Sequence, residues 1–187
     1  MGDDVDYGPL TGLIGVWEGD KGMDVAPGPK RDVDSPYFET ITFEAIGTST
    51  NAKSQTLSVL HYLEIVSRKA NNKVFHHETG YWMWDPATEI VMHSLTIPRS
   101  VCVLAGAKYD AANSSGGNTV IEVSAKLGDE DWGILQSPFM RDNARTTEFR
   151  HKVTVGNGKL AYLETTMLDI YGKVFEHTDE NELTLQT

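Results

Sequence analysis

The histidines and carboxylates are the groups in this sequence that could ligate a metal or move a proton, and two histidines stand side by side in "FHHETGYWMW", residues 75–84. A strand sends adjacent side chains to opposite faces, which rules out His76 and His77 as joint ligands of one ion. His76 shares a face with Glu78, Gly80 and Trp82, whereas His77 shares one with Phe75, Thr79, Tyr81 and Met83. The HxH spacing with downstream Glu and His that a cupin-type centre needs is absent, so this segment reads as a wall. His61 and His151 lie in alternating segments and are expected to be hydrogen-bonded wall histidines. Cys102, between Val101 and Val103, has only Arg99 as a nearby cation and is expected to be buried and inert. No GxSxG nucleophile motif occurs.

The elements that must position these groups follow a period of two rather than 3.6. In "TLSVLHYLEIV" Leu57, Val59, Leu63 and Ile65 alternate with Ser58 and Glu64, and in "FETITFEAI" Ile41 and Phe43 sit between Thr40, Thr42 and Glu44, so each segment has one wetter face. Further strands are expected at 13–25, 73–84, 89–97, 100–109, 118–126, 132–137, 146–155, 159–168 and 181–186. Breakers such as "KANNK", "DPAT" and "VGNGK" separate them, the last a hairpin turn with glycine where positive φ is needed. "YGPLTGLIG" suits one helical turn, "APGPKRDVDSP" suits a loop, and "GVWEG" offers Trp17 as an apolar plug. About ten antiparallel strands in sequence predict an all-β, up-and-down barrel over residues 1–187, wide enough for a small ligand.

Composition narrows the function. With 187 residues, 40% hydrophobic and 23% charged, the chain suits one globular domain. A net charge of −11 argues against nucleic acid and anionic membranes as partners. The start "MGDDVDYGPL" lacks signal-peptide character, no apolar run approaches the ~20 residues of a membrane span, and Cys102 stands alone; a soluble cytoplasmic protein, monomeric or homodimeric, is expected. His177, in the polar stretch "IYGKVFEHTDENELTL", is expected in a turn just before the last strand, near a barrel mouth. There it is either a solvated loop histidine or an inward-looking ligand whose second ring nitrogen bonds a carboxylate such as Glu176 or Asp179.

The order "LIGVWEG", "FETITFEAIG", "FHHETGYW", "SPFMRDNARTTEFR", "LAYLETTML" and "FEHTDENELTL" resembles the nitrobindin family along nearly the whole chain. These are fatty-acid-binding-protein-like, ten-stranded barrels, found also as the carboxy-terminal domain of a human THAP-type protein. The resemblance implies ferric haem b bound through one axial histidine, reaction with nitric oxide and, if the protein is an enzyme, peroxynitrite isomerisation. The axial position falls on His177, followed here by Thr178 where the family usually has leucine. Phe75, His76, Met140 and Met167 fall at pocket positions. Arg145, in the "NAR" of 143–145, falls where the family has Ala-Lys and would pair with a propionate. The third glycine of the family's GxWxGxG opening is displaced to Gly22, and no Tyr-Pro-Thr follows. The alternative is a non-haem carrier of a fatty-acid-like or other apolar molecule, with Arg145 or Arg150 meeting a carboxylate.

Overall fold

A computed structural model describes residues 5–28 and 30–186. The strands are β1 (Gly15–Ala26), β2 (Val33–Asn51), β3 (Gln55–Arg68), β4 (Val74–Asp85), β5 (Ile90–Ile97), β6 (Val101–Lys108), β7 (Thr119–Lys126), β8 (Ile134–Gln136), β9 (Ala144–Gly156), β10 (Lys159–Ile170) and β11 (Lys173–Leu185), with one short helix, α1 (Pro138–Asn143). Each of β1 to β5 pairs with the next, β5 pairs with β6, β6 touches β7, and β7, β9, β10 and β11 lead back to β1. Ten antiparallel strands therefore close a barrel, with β8 laid on β6. Closure removes the unpaired edges that so many strands would otherwise present. The weakest seam lies between β6 and β7, which share only the Gly106–Ser124 pair; Trp132 lies over Gly106 there, where any side chain on that glycine would strike the indole.

One end of the barrel is stoppered. "GPLTGL" forms a 3-10 turn, Gly8–Leu13, that drives Leu10 and Leu13 into the core, both fully buried. Trp17 beside them donates its indole N–H to the Leu13 carbonyl at 2.7 Å, which satisfies its one polar group. Tight hairpins border this end; at "VGNGK" Asn157 and Gly158 both take positive φ, 53° and 70°, as the two-residue turn requires. At the other end β1, β3, β5 and β10 finish, β2, β4, β6, β9 and β11 begin, and the interior stays open.

Bulges reset which residues face inward. Between Gly19 and Gly22 the register of β1 against β2 shifts, so Trp17 points in from an odd position and Gly22 and Asp24 from even ones. Gly22 is needed bare because the Tyr37 ring occupies the place its side chain would take. On β4 a shift leaves Phe75 as an extra residue, so Phe75 and His76 both face the interior while His77 is exposed. Parity thus separates His76 from His77 as expected, but Phe75 joins the face of His76.

Two further expectations are corrected. The last strand begins at Lys173 rather than 181, so His177 lies inside β11 and not in a turn. Cys102 is exposed, since Val101 and Val103 take the inward positions on β6.

Candidate ligand site

The open end leads into a cavity of about 490 Å³. This lies in the size range of small-molecule sites, which are typically ~300–1,000 Å³. Its upper wall is apolar, with Leu95, Ile97, Val101, Leu168 and Ile170 from β5, β6 and β10. Met140 reaches it from α1, which is held by Ser137 accepting the Met140 backbone N–H at 3.3 Å.

His177 lines this cavity from β11. Its Nε2 lies 2.8 Å from Asp24 Oδ1 and 3.5 Å from Asp179 Oδ2. Burial would lower its pKa, but the Asp24 hydrogen bond and the charges of Asp179 and Asp24 outweigh that and raise it. The carboxylate partner expected at Glu176 or Asp179 is thus Asp24 at the shorter distance, with Asp179 second, and Glu176 is exposed. Asp24, His177 and Asp179 offer ligand atoms all within 4.8 Å of one another.

Phe75 and His76 also line the cavity. His76 Nε2 is 3.5 Å from Glu78 Oε2 and 4.0 Å from Glu64 Oε1, and Glu78 raises its pKa against the lowering effect of burial. The other two expected pocket residues stand elsewhere. Inward positions on β10 are Glu164, Thr166 and Leu168, so Met167 between them is not on the cavity wall. Arg145 is exposed and donates Nε–H to the Arg141 carbonyl at 3.0 Å, and Arg150 is likewise exposed. The arginines at the cavity are Arg68 and Arg99, both at the rim: Arg68 lies 4.2 Å from the Phe75 ring centre, and Arg99 donates to the Phe75 carbonyl at 3.4 Å.

Beneath the His177 level the cavity turns acidic. Glu64 and Glu78 are direct cross-strand partners on β3 and β4. Across the barrel Glu164 pairs with Asp179, which pairs in turn with Asp24. All five line the cavity. Burial raises the pKa of Glu64 and Glu164, reinforced for Glu64 by Glu39 and for both by Glu78, and it lifts Asp179 to about 6. Behind them Glu39, 2% exposed, accepts from Asn181 at 2.7 Å and from Tyr162 at 2.9 Å; burial, only partly offset by those bonds, puts its pKa at about 7.

Below the acidic level aromatic and imidazole groups pack in the core. Tyr62 donates to Glu78 at 2.6 Å, so its oxygen is left to accept from His93 Nε2 at 2.9 Å. Trp82 stacks on His93 at 4.1 Å, and His151 lies edge-on to Trp82 and Tyr162. Burial lowers both imidazole pKa values, that of His151 to about 4. His61, on the outer face, shares a 3.0 Å contact with Thr79 Oγ1, but neither ring nitrogen of His151 has a hydrogen-bond partner.

The site has the parts a haem needs: an imidazole on the wall, an apolar upper half, and two rim cations. Against it stand Asp24 and Asp179, both within 3.5 Å of His177 Nε2, and the acidic lower half of the cavity. No helix among the described residues is long and apolar enough to cross a membrane.

No curated protein matches the sequence. The crystal structure of Rv2717c from M. tuberculosis superposes with a TM-score of 0.69 at 20% identity, covering 97% of this chain and 100% of that one. The family described as THAP4-like, heme-binding beta-barrel domain matches residues 6–184. By that match and by its closed ten-stranded barrel, the chain belongs to the THAP4-like, nitrobindin family of haem-binding β-barrels.

Proposed function

We propose that the protein binds haem b in the open half of the barrel, with His177 as the axial ligand. The observation that supports this most is His177 itself: the residue on which the resemblance puts the axial ligand lines the cavity at a level where the surroundings above are apolar. Phe75, His76 and Met140 would border the group, and Arg68 and Arg99 at the rim would hold its propionates in place of Arg145. When bound, the iron would supply an open sixth position for nitric oxide and, if there is turnover, for peroxynitrite isomerisation. The protein's share is to orient the group and to exclude water with Leu95, Ile97, Val101 and Leu168.

Titration of ferric haem into purified protein, followed by the Soret band, tests this. The expected result is saturable binding with a shifted Soret maximum in the wild type and a changed spectrum with weaker binding in His177→Ala. Wild type without saturable binding overturns the haem reading, and a variant identical to wild type overturns His177 as ligand.

A second reading, a carrier of a non-haem amphipathic molecule, is favoured by one contact: the Asp24 carboxylate bonded to His177 Nε2.

A further inference from the structure

The strand register sets like charges against each other twice on the cavity wall. Glu64 faces Glu78 across β3 and β4, and Glu164, Asp179 and Asp24 form a row across β10, β11 and β1. Directly opposed carboxylates destabilise a sheet, and surface positions on these long strands were available for them. Here they are instead turned inward, on two sides of one cavity. Their positive counterweights stand apart: Arg68 and Arg99 occupy the rim, and among the described residues the basic groups beside the carboxyls are the imidazoles of His76, His151 and His177.

A second observation comes from the packed layer beneath the carboxyls. His151 is the cross-strand partner of Glu164, so it continues the acidic row by one strand. It is 8% exposed, both ring nitrogens lack a partner, and Nδ1 points at Glu164 Oε2 across 3.5 Å, too long for a good hydrogen bond. Buried polar atoms without partners are rare and costly, and here one of them is aimed at Glu164, which lines the cavity.

We propose that the acidic floor is a binding site for an organic cation: an alkylammonium head seated between Glu64–Glu78 and Glu164–Asp179, its hydrocarbon body against Leu95, Ile97, Val103 and Leu168 above. A primary ammonium carries three donors and one charge; seated among carboxyls that burial and their mutual repulsion hold in the neutral form, it favours their ionisation, and the carboxylates so formed accept from it with charge-assisted strength. The apolar wall separates this ligand from a bare metal ion, which gains nothing from hydrocarbon contact. The polarity is the reverse of a fatty-acid carrier, in which a cation deep in the barrel meets a carboxylate. The proposal rests on the cavity as a ligand site and not on iron at His177.

The test is calorimetric titration of the haem-free protein at pH 7.5 with n-octylamine, n-octanol, octanoate and zinc chloride in parallel. Octylamine is expected to bind saturably and at least tenfold more tightly than octanol, with no saturable octanoate binding. Glu64→Gln and Glu164→Gln, which keep shape and cannot ionise, are each expected to weaken octylamine at least tenfold. Equal binding of octanol or octanoate, no octylamine binding, or zinc binding without octylamine binding overturns the proposal on the wild type alone, whatever the variants do. Since no haem is present, failure here leaves the iron reading to its own Soret titration.

Discussion

Nε2 of His177 and Oδ1 of Asp24 are 2.8 Å apart, so the nitrogen that His177 would present to iron in the proposed haem complex donates to a carboxylate. The contact exists because the bulge between Gly19 and Gly22 turns Asp24 inward. A hydrogen bond to a charged group is worth about 1.5–3 kcal/mol, and iron must displace it. Asp24→Ala is therefore expected to bind ferric haem about tenfold or more tightly than wild type, since ~1.4 kcal/mol is one decade. Equal Soret titration midpoints for the two proteins would show that Asp24 does not compete with iron.

Buried carboxyls also make stability depend on pH. Glu39 titrates near 7 in the fold against 4.5 as the ordinary value, so its contribution is full below about 4.5 and is lost as pH rises through 7. Glu64 and Glu164, also raised by burial, act in the same direction, and so do His76 and His177, whose raised values contribute below 6.5 and fade above it. His93 and His151 oppose them, but only below 6.5, where the unfolded chain takes up protons that these buried rings refuse. Above 6.5 every one of these groups pulls one way. The urea midpoint is expected to fall between pH 6.5 and pH 8.5, and Glu39→Gln is expected to flatten that fall; a midpoint that rises with pH contradicts the assignment.

How much of this was legible follows from which side of each strand is polar. The barrel and its Trp17 stopper follow from apolar alternation, because the closed half of the interior is apolar. The part of β11 ahead of residue 181 leaves no alternation in the sequence because its inward residues His177 and Asp179 are polar. The same cause disguised the acidic floor: the wetter face of "TLSVLHYLEIV", carrying Glu64, looks into the cavity rather than to solvent. Asp24 and Phe75 face inward only through bulges, and a bulge leaves no mark in a period-two pattern. The resemblance points to His177, which lines the cavity, and the row of carboxyls around it is visible in the strand register alone.

Gly80 offers a test of the wall independent of any ligand. A Cβ there would run into the carbonyl of Ser94 on β5, which is backbone and cannot rotate away. Overpacking of this kind costs about 1–3 kcal/mol. In a domain of this size that is roughly 2–4 °C of melting temperature per kcal/mol, so Gly80→Ala is expected to melt several degrees lower in a thermal scan. An unchanged melting temperature would mean that β4 and β5 are less closely apposed than described.

The rim decides between two assignments for the propionates. Arg68 and Arg99 border the cavity, whereas Arg145 is spent on the Arg141 carbonyl outside it. An arginine that pairs with a propionate at a solvent-facing rim contributes on the order of 1 kcal/mol, less at high salt, because water and ions screen the pair. Arg68→Ala and Arg99→Ala are each expected to weaken ferric haem binding several-fold at low ionic strength and less at 0.5 M sodium chloride, while Arg145→Ala leaves the midpoint unchanged. Soret titrations at the two salt concentrations read this out. Loss of affinity confined to Arg145→Ala would return the propionate role to the "NAR" segment and require α1 to move, because the Arg145–Arg141 bond now holds that side chain away from the cavity.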